Sequence, residues 1–412
     1  MSIAAAVFPG VAFAEQAPAP PAAAPPAAAP PVAAPPAETT APAAWQQETQ
    51  RLQTQPENPP REDRKFRWEP FGYLRLQYLA VQNDPNVAFV GRDDGFELQN
   101  ARVGVRGELD HRIGFMLAFD GAVDERLQVN TPDGKLRVGL RDAFADVQIS
   151  QEVPLSVRGG FFQAWVDPEA LVGDTERELV DHPIESRGMR ATEGFQTAGL
   201  TPGRSLGAAI RVETERPSAP RFIGGPSVGI GVELAVQNGA DEFASNNDND
   251  KLALSAGIVV RFRNNSWVMV AGRYNPRSVG DLPFRQDEND LQGTAGLRLA
   301  LGPIVIGGGA IAQRTTYPTT GGPSQTAFGG HAQLMVPIPL PVDLPLEVGY
   351  RFGILDPSSL ITTDRVMEHS AGAVLAVPRY RMRIQLQATH VVEQAARELA
   401  NDRAQLAVEL SL

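Results

Sequence analysis

Residues 101–120, ARVGVRGELDHRIGFMLAFD, alternate between apolar and polar side chains over most of their length. Val103 and Val105 alternate with Arg102 and Arg106, and the pattern resumes at Ile113 after the residues DHR. A period of two is that of a β-strand whose two faces meet different surroundings. The apolar face therefore either packs on a protein core, with the arginines in solvent, or meets lipid, with the arginines in a wet interior.

The same alternation recurs in about sixteen segments between Phe66 and Leu412. The apolar positions of these segments are nearly free of Lys, Arg, Asp and Glu, whereas the intervening positions collect arginines. A charged side chain that faces lipid costs about 2–4 kcal/mol at mid-membrane, so a lipid-facing surface excludes it. Nine arginines are therefore predicted to face inward and line a pore: Arg75, Arg102, Arg106, Arg158, Arg211, Arg261, Arg298, Arg351 and Arg383.

Two further features favour a membrane barrel over a soluble β-sandwich. The apolar positions are rich in Ala and Gly, whereas the inner faces of a sandwich carry larger and more aromatic side chains. The connections after the second, eighth, tenth and fourteenth segments are tight, and those after odd-numbered segments are long and polar, as in membrane barrels. A sheet in lipid must also close on itself, because every backbone group needs a partner. We therefore predict an all-β fold, a transmembrane antiparallel β-barrel of about sixteen strands in the bacterial outer membrane.

The N-terminal region has a different composition. Residues 1–14 end in Ala-Phe-Ala and resemble the remnant of a signal peptide whose start lies upstream, although an ordinary Ala-rich tail has a similar composition. Residues 15–65 are predicted to be a disordered Ala/Pro-rich periplasmic linker with a short helix at 43–55. The barrel domain is expected over residues 66–412, and no run in it reaches the ~20 apolar residues of a membrane helix.

The barrel region resembles the phosphate-selective porin family (porins O and P). The resemblance is carried by GFELQNARVGVRGEL at 95–109, LRDAFADVQI at 140–149, LSVRGGFFQAW at 155–165, PGRSLGAAI at 202–210, the stretch 233–262, and the closing RAQLAVELSL. It covers about residues 70–412 and is one of pattern more than of identity. It implies a homotrimeric sixteen-stranded barrel in the outer membrane that conducts anions such as phosphate along an arginine-lined pore.

Two features depart from that family. The chain has only three lysines, whereas phosphate-selective members have lysines near the pore. The segment 163–204, which follows the fifth strand as the constriction loop of general porins does, is rich in acids. Because acids in a constriction oppose the passage of anions, phosphate selectivity is in question. The predicted constriction residues are Asp167, Glu169, Arg177, Arg187, Arg190 and Arg204.

Motifs for chemistry are weak in this chain. GRSLG at 203–207 matches the G-x-S-x-G nucleophile motif, but a strand rather than a helix follows Ser205, so catalysis is not expected. SNNDND at 245–250 lacks the Gly and distal Glu of a calcium loop and is interpreted as a solvated loop. The five histidines have no metal-ligand spacing, there is no cysteine, and the acidic chain has no basic run for nucleic acid. We predict neither enzyme activity nor a cofactor or metal.

The function predicted from the sequence is passive diffusion of small anionic or neutral hydrophilic solutes through an outer-membrane porin. The inward arginines form either an anion track or simply a wall in which acids neutralise them, and the sequence leaves both open. The alternative function is a structural, largely plugged barrel that its N-terminal extension links to peptidoglycan. A hydrolase embedded in the barrel is disfavoured, because no Ser/His/Asp set falls in suitable positions.

Overall fold

The structure is a computed structural model. Its strands coincide with the segments in which apolar and polar residues alternate in the sequence. It describes residues 66–91, 94–110, 112–121, 138–150, 154–214, 228–239, 247, 250–262, 265–279, 285–342, 344–394 and 398–412. The predictions for residues 1–65, for His111 and for most of SNNDND lie outside the described residues.

Sixteen strands build one closed antiparallel barrel. They are β1 (Phe66–Val81), β2 (Gly95–Leu109), β3 (Ile113–Asp120), β4 (Gly139–Gln148), β5 (Leu155–Phe162), β8 (Ser205–Glu213), β9 (Val228–Gln237), β10 (Ala253–Phe262), β11 (Trp267–Val279), β12 (Gln286–Leu301), β13 (Ile304–Thr316), β14 (Gln325–Ile338), β15 (Leu346–Asp356), β16 (Val366–Val377), β17 (Met382–Glu393) and β18 (Arg403–Ser411). The short strands β6 (Gly188–Met189) and β7 (Thr197–Ala198) pair with each other outside the barrel sheet. The predicted fold and strand number are confirmed.

Consecutive barrel strands are neighbours throughout, and the sheet closes between β1 and β18. The closing pair runs from Tyr73 opposite Ser411 to Val81 opposite Arg403. One further backbone bond, from Leu412 N to Gly72 O at 3.0 Å, extends it. Because the barrel is closed, its sheet has no free edge to satisfy in lipid.

The outward face of the strands is apolar and exposed. Leu74, Leu234, Leu254 and Leu386 each have between 45% and 56% of their surface exposed, and they alternate with residues that point into the lumen. An exposed apolar belt on every side is what lipid requires and what a water-facing surface lacks. The chain is an integral outer-membrane β-barrel. No helix among the described residues is long and apolar enough to cross a membrane.

The connections divide the barrel into a short-turn end and a long-loop end. At the short-turn end, β2 turns into β3 through Asp110 at φ 50°, and β12 turns into β13 through Gly302 at φ 63°. Asp and Gly suit these turns because they tolerate the left-handed region. At the other end the connection after the ninth barrel strand departs from the expected length. It spans only residues 280–285, because β11 and β12 extend beyond their neighbours.

If these residues face lipid, the loss in free energy of unfolding caused by a leucine-to-arginine substitution should depend on its depth in the membrane. Leu386 faces outward near the middle of β17, so Leu386→Arg should lower the free energy of unfolding by about 2–4 kcal/mol. Leu410 also faces outward but lies near the short-turn end, so Leu410→Arg should cost at most ~1 kcal/mol. Denaturant titration of both variants in phospholipid vesicles measures the difference. Equal costs would contradict the assignment.

Candidate site in the barrel lumen

Residues 163–204 connect β5 to β8, and we call them the inserted segment because their side chains contact the inner wall. The segment contains 3₁₀ turns at Pro168–Leu171 and Asp174–Glu176 and one helical turn, α1, at Ile184–Arg187. Asp167 begins the first turn by accepting a hydrogen bond from the Glu169 backbone N at 3.0 Å. Ile184 and Val180 are fully buried. The segment is therefore enclosed by the wall rather than exposed as a surface loop.

Inward-facing glycines make room for this segment on seven strands. A methyl group at Gly257 would come within 2.5 Å of the Trp165 carbonyl, and one at Gly372 within 2.6 Å of the Leu179 side chain. The sequence-based interpretation assigned the glycines to a smooth lipid-facing wall, but these seven face the lumen. They permit a close approach that any side chain would block. The seven are Gly231, Gly257, Gly296, Gly309, Gly329, Gly353 and Gly372.

A buried ion-pair cluster holds the second half of the segment to β16 and β18. Arg187 pairs with Glu193 at 2.7 Å and with Glu368 at 2.6 Å, and Arg403 pairs with the same Glu368 at 2.7 Å. Arg403 also lies 3.3 Å from Asp181. No side chain of the five has more than 5% of its surface exposed. Burial alone would raise the pKa of the Glu193 carboxyl, but the opposite charges of Arg187 and Arg403 lower it below its usual range, so Glu193 is ionised.

Asp174 fixes the first half of the segment to β1 and β2. Its carboxylate accepts a hydrogen bond from Tyr73 Oη at 3.0 Å and pairs with Arg102 at 2.5 Å. Its backbone carbonyl accepts a hydrogen bond from Arg75 at 2.7 Å. Although burial opposes ionisation, Arg102 and Arg177 hold the pKa of the Asp174 carboxyl well below its usual range. The two anchors lie on opposite sides of the β1–β18 closure.

The nine arginines predicted from the sequence all occupy inward-facing positions, and five of them form hydrogen bonds or ion pairs with the inserted segment. Arg351 donates to the carbonyls of Asp181 and His182 at 2.9 and 3.2 Å, and Arg298 donates to Glu178 at 3.2 Å. Arg383 donates to two segment carbonyls and, like Arg75, also pairs with Glu409. The five are Arg75, Arg102, Arg298, Arg351 and Arg383. Their guanidinium groups hold protein groups in place.

The other four arginines pair with acids of the wall itself. Arg158 makes a bidentate pair with Asp146 at 2.8 and 2.6 Å, and Arg261 donates to Glu213 at 3.1 Å. Arg211 pairs with Glu233, and Arg106 pairs with Glu69. The side chains of Arg158, Arg261 and Arg106 keep 14%, 24% and 60% of their surface exposed. Arg261 and Arg106 are more exposed than any arginine that holds the segment, whereas Arg158 is less exposed than Arg298 and Arg383, at 20% and 19%.

Aromatic rings separate three of these arginines along the wall. Arg158 lies 3.6 Å above the centre of the Phe144 ring, and Arg211 lies 4.9 Å from the centre of the Trp165 ring. Arg261 reaches the other side of the same Trp165 ring at 5.1 Å. Guanidinium–ring contacts of this kind stabilise a charge that is partly removed from water. Phe162 lies between Arg158 and Arg211, so the order is Phe144, Arg158, Phe162, Arg211, Trp165 of the segment and Arg261; we call this alternation the ring–arginine row.

The acids of the inserted segment face basic partners, which changes the expected electrostatics. Asp174, Glu178 and Asp181 pair with wall arginines, and Glu185 pairs with His331 of β14. The expectation that an acidic segment opposes anions treated these charges as free. Arg298, Arg102 and Arg403 of the wall compensate three of these acids, so these carboxylates are not free charges.

The remaining predicted segment residues are placed as follows. Arg190 lies 3.5 Å from Glu97 of β2, Arg204 donates to Asp142 of β4 at 2.9 Å, and Arg177 lies 3.8 Å from Asp174. Glu169 contacts His182 within the segment at 3.1 Å. The sequence interpretation missed Arg403, Glu368 and Glu409, although each continues the inward-facing positions of its strand.

A polar cavity of about 570 Å³ lies between the inserted segment and strands β11–β14, towards the long-loop end. Its lining combines charged side chains with amides and hydroxyls, which suits water and small hydrophilic molecules. Ser205 lies at its edge as the first residue of β8, and no helix follows it, which removes the structural context of a nucleophile. No group of three or more His, Asp or Glu among the described residues is arranged to hold a metal ion. The lining includes Arg204, Arg273, Asn275, Arg277, Asp290, Gln292, Gln313, Thr315 and Tyr317.

Solved structures similar to this chain include two outer-membrane channels. An anion-selective porin from Comamonas acidovorans is 15% identical and has a TM-score of 0.57, covering 84% of this chain and 100% of that one. The outer membrane channel DcaP of Acinetobacter baumannii is 12% identical with a TM-score of 0.54, covering 84% and 97%. The chain has the fold of a porin.

A third structure, OmpT, an outer membrane protein of Vibrio cholerae in its trimer form, is 9% identical with a TM-score of 0.53, covering 84% of this chain and 99% of that one. No family model matches the chain, and no curated protein matches it either. At these identities the likeness extends to the fold alone. The resemblance to the phosphate-selective family therefore stays a prediction.

The buried anchor predicts that the segment contributes strongly to stability. Arg187→Met leaves Glu193 and Glu368 with one basic partner fewer in a buried site, so unfolding should become easier by about 3–5 kcal/mol. Arg106→Met removes an exposed pair with Glu69 and should cost at most ~1 kcal/mol. Denaturant midpoints of the two variants in detergent micelles give the comparison. A loss at Arg187 no larger than that at Arg106 would show that the anchor is not structural.

The raised pKa of the Glu169 carboxyl predicts that the free energy of unfolding depends on pH. Burial raises the pKa of the Glu169 carboxyl to about 7, above the ordinary value near 4.5. The folded state holds this proton more tightly than the unfolded state. Protonated Glu169 therefore contributes its whole stabilisation to the free energy of unfolding below pH ~4.5, and this stabilisation is lost as the pH rises through about 7. The wild type should therefore lose on the order of 3 kcal/mol relative to Glu169→Gln between pH 4.5 and pH 8.

Unfolding midpoints of the wild type and Glu169→Gln across this range test that dependence. Glu176→Gln is the matched control, because Glu176 lies in the same segment but is exposed. A difference between wild type and Glu169→Gln that does not change with pH would refute the assignment.

Proposed function

We propose that the protein is an outer-membrane porin through which small hydrophilic solutes diffuse passively, without chemistry or cofactor. The observation that carries this proposal is a closed sixteen-stranded wall whose lumen holds a polar cavity of about 570 Å³ beside an inserted segment. The inserted segment acts as the constriction. The short-turn end faces the periplasm and the long-loop end faces the exterior, as in membrane barrels generally.

The charge balance of the lumen supports weak ion selectivity. Each of the nine arginines is compensated by an acid or engaged by the backbone of the segment, so none is a free anion site. A solute therefore meets alternating charges rather than a continuous positive row. A small preference for anions comes from Arg106, Arg158 and Arg261, whose guanidinium groups pair with wall acids rather than with acids or carbonyls of the segment and keep 14% or more of the side chain exposed. Phosphate is one such solute, and guanidinium groups suit its bidentate binding.

A largely plugged structural barrel is the second candidate, and one observation favours it. Described contacts of the inserted segment reach β1, β2, β4, β9, β12 and the strands from β14 to β18. Contacts around so much of the wall leave less of the cross-section open. In this candidate the N-terminal extension links the barrel to peptidoglycan.

The proposal includes a homotrimer in contact with outer-membrane lipid. The trimer form of the Vibrio cholerae protein of the same fold supports this assembly. The nine arginines, together with Asp167, Glu169, Arg177, Arg187, Arg190 and Arg204 of the segment, are proposed to line the path of the solute.

Conductance in planar bilayers separates the two candidates. The porin should give discrete single-channel steps, and the double variant Arg158→Gln/Arg261→Gln should move the reversal potential in a KCl gradient towards cation preference. The charge-matched control, Asp146→Asn/Glu213→Gln, removes the partner acids of the same arginines and should move the potential the other way. Absence of steps in the wild type would exclude the porin in favour of the plugged barrel. Steps with unchanged potentials would keep the porin and remove these arginines from the path.

A further inference from the structure

Two histidines lie side by side on the outward face of the barrel, and the neighbouring outward positions on their own strands are apolar. His369 on β16 is directly opposite His390 on β17 in the antiparallel register. The ring centroids are 6.3 Å apart, and the ring planes are inclined by only 30°. Along each strand the neighbouring outward positions are apolar: Met367 and Ala371 on β16, and Ala388 and Val392 on β17.

Each imidazole is oriented through its Nδ1 atom by a polar group. His390 Nδ1 lies 2.8 Å from a carboxylate oxygen of Asp402, and His369 Nδ1 lies 2.6 Å from Tyr350 Oη. When Nδ1 carries the proton and donates it to Asp402, the lone pair of His390 is on Nε2. The same tautomer of His369 donates to the Tyr350 oxygen. Orientation by a carboxylate or another acceptor at the second nitrogen is characteristic of metal-binding histidines.

The surroundings leave space beside the two rings. An outward-facing groove of about 580 Å³ adjoins them, and small side chains line it, including Ala80, Ala371, Ala388 and Ala404. His390 keeps 58% of its side-chain surface exposed, so its Nε2 atom is accessible from outside. Polar groups in a membrane-facing band are costly and are retained where they have a partner or a role. Neither the lumen nor the ion-pair anchors make use of this pair.

We propose that His369 and His390 form a binding site for a divalent transition-metal ion such as Zn²⁺, Ni²⁺ or Cu²⁺ on the outward face of the barrel. Neutral imidazole is a preferred ligand of these ions, with metal–nitrogen distances of about 2.0–2.1 Å. Two imidazoles sharing one ion place their ring centres about 5–6 Å apart, which is close to the 6.3 Å separation of His369 and His390. His390 and Asp402 lie at the long-loop end of β17 and β18, where external water completes the coordination, and Asp402 orients His390 without binding the metal.

Calorimetry on the untagged full-length protein in detergent, stripped with chelator, tests the site with ZnCl₂ and NiCl₂. The wild type should bind one ion per chain. His369→Ala and His390→Ala should each weaken binding at least ~10-fold, and the double variant should be little worse than either, because a chelate needs both rings. Asp402→Asn should weaken binding about 10-fold and leave the stoichiometry at one. The control is His111→Ala, which should leave the affinity unchanged.

Unchanged affinity in the single variants, or loss of binding in the control, would overturn the proposal. One ion per three chains would also overturn it, because the metal would then be shared between copies. Heat-modifiable migration on gels checks that each variant forms the barrel. Electron paramagnetic resonance of the wild type loaded with one equivalent of Cu²⁺ needs no variant. Hyperfine structure from two nitrogens supports the site, and a signal from one nitrogen or none refutes it.

Discussion

The requirement that every backbone N–H and C=O be paired within lipid determines the rest of this structure. A spanning sheet meets that requirement only when its last strand bonds to its first, as β18 does to β1. Closure creates a lumen too wide for wall side chains alone to fill. The chain fills part of it with its own residues 163–204, whose polar groups then need partners on the wall. The arginines, amides and carboxylates on the inward face supply those partners.

The inserted segment and the wall depend on each other electrostatically. Removing Arg187, Arg403, Glu193 and Glu368 from water is unfavourable, and only their mutual pairing offsets it. The same is true of Asp174 against Arg102. The ring–arginine row follows another principle, because there the guanidinium groups pair along the wall and against aromatic rings. The arginines thus have two roles: one set holds the segment through hydrogen bonds and ion pairs, and the other pairs with acids of the wall.

Much of the fold was predictable from the sequence because lipid imposes a local rule. Leu386 must be apolar and Gln387 need not be, so alternation alone located sixteen strands and the inward side of all nine arginines. Pair partners were not predictable, because Arg187 and Glu368 are 181 residues apart and nothing local connects them. For the same reason the acids of the segment were interpreted as free charges. The inward glycines were visible in the sequence, but their purpose depends on Trp165 and Leu179, which approach from a distant segment.

The histidines illustrate the same limit on the outward face. His369 and His390 are 21 residues apart and have no ligand spacing along the chain, yet the hairpin of β16 and β17 places them opposite each other. Only the register of an antiparallel pair shows that they are neighbours. Local pattern thus predicts the face on which a side chain lies, and pairing decides what it meets there.

The anchors of the inserted segment also couple the interior to the completion of the chain. The segment is encoded in the first half of the sequence, but Arg403 and Glu409, which hold it or its neighbouring arginines, belong to the final strand. The segment and its neighbouring arginines therefore lack these ionic partners until β18 is in place. Closure of the sheet between β1 and β18 and ordering of the lumen therefore depend on the same strand. A barrel in which β18 has not yet paired leaves these charges without partners.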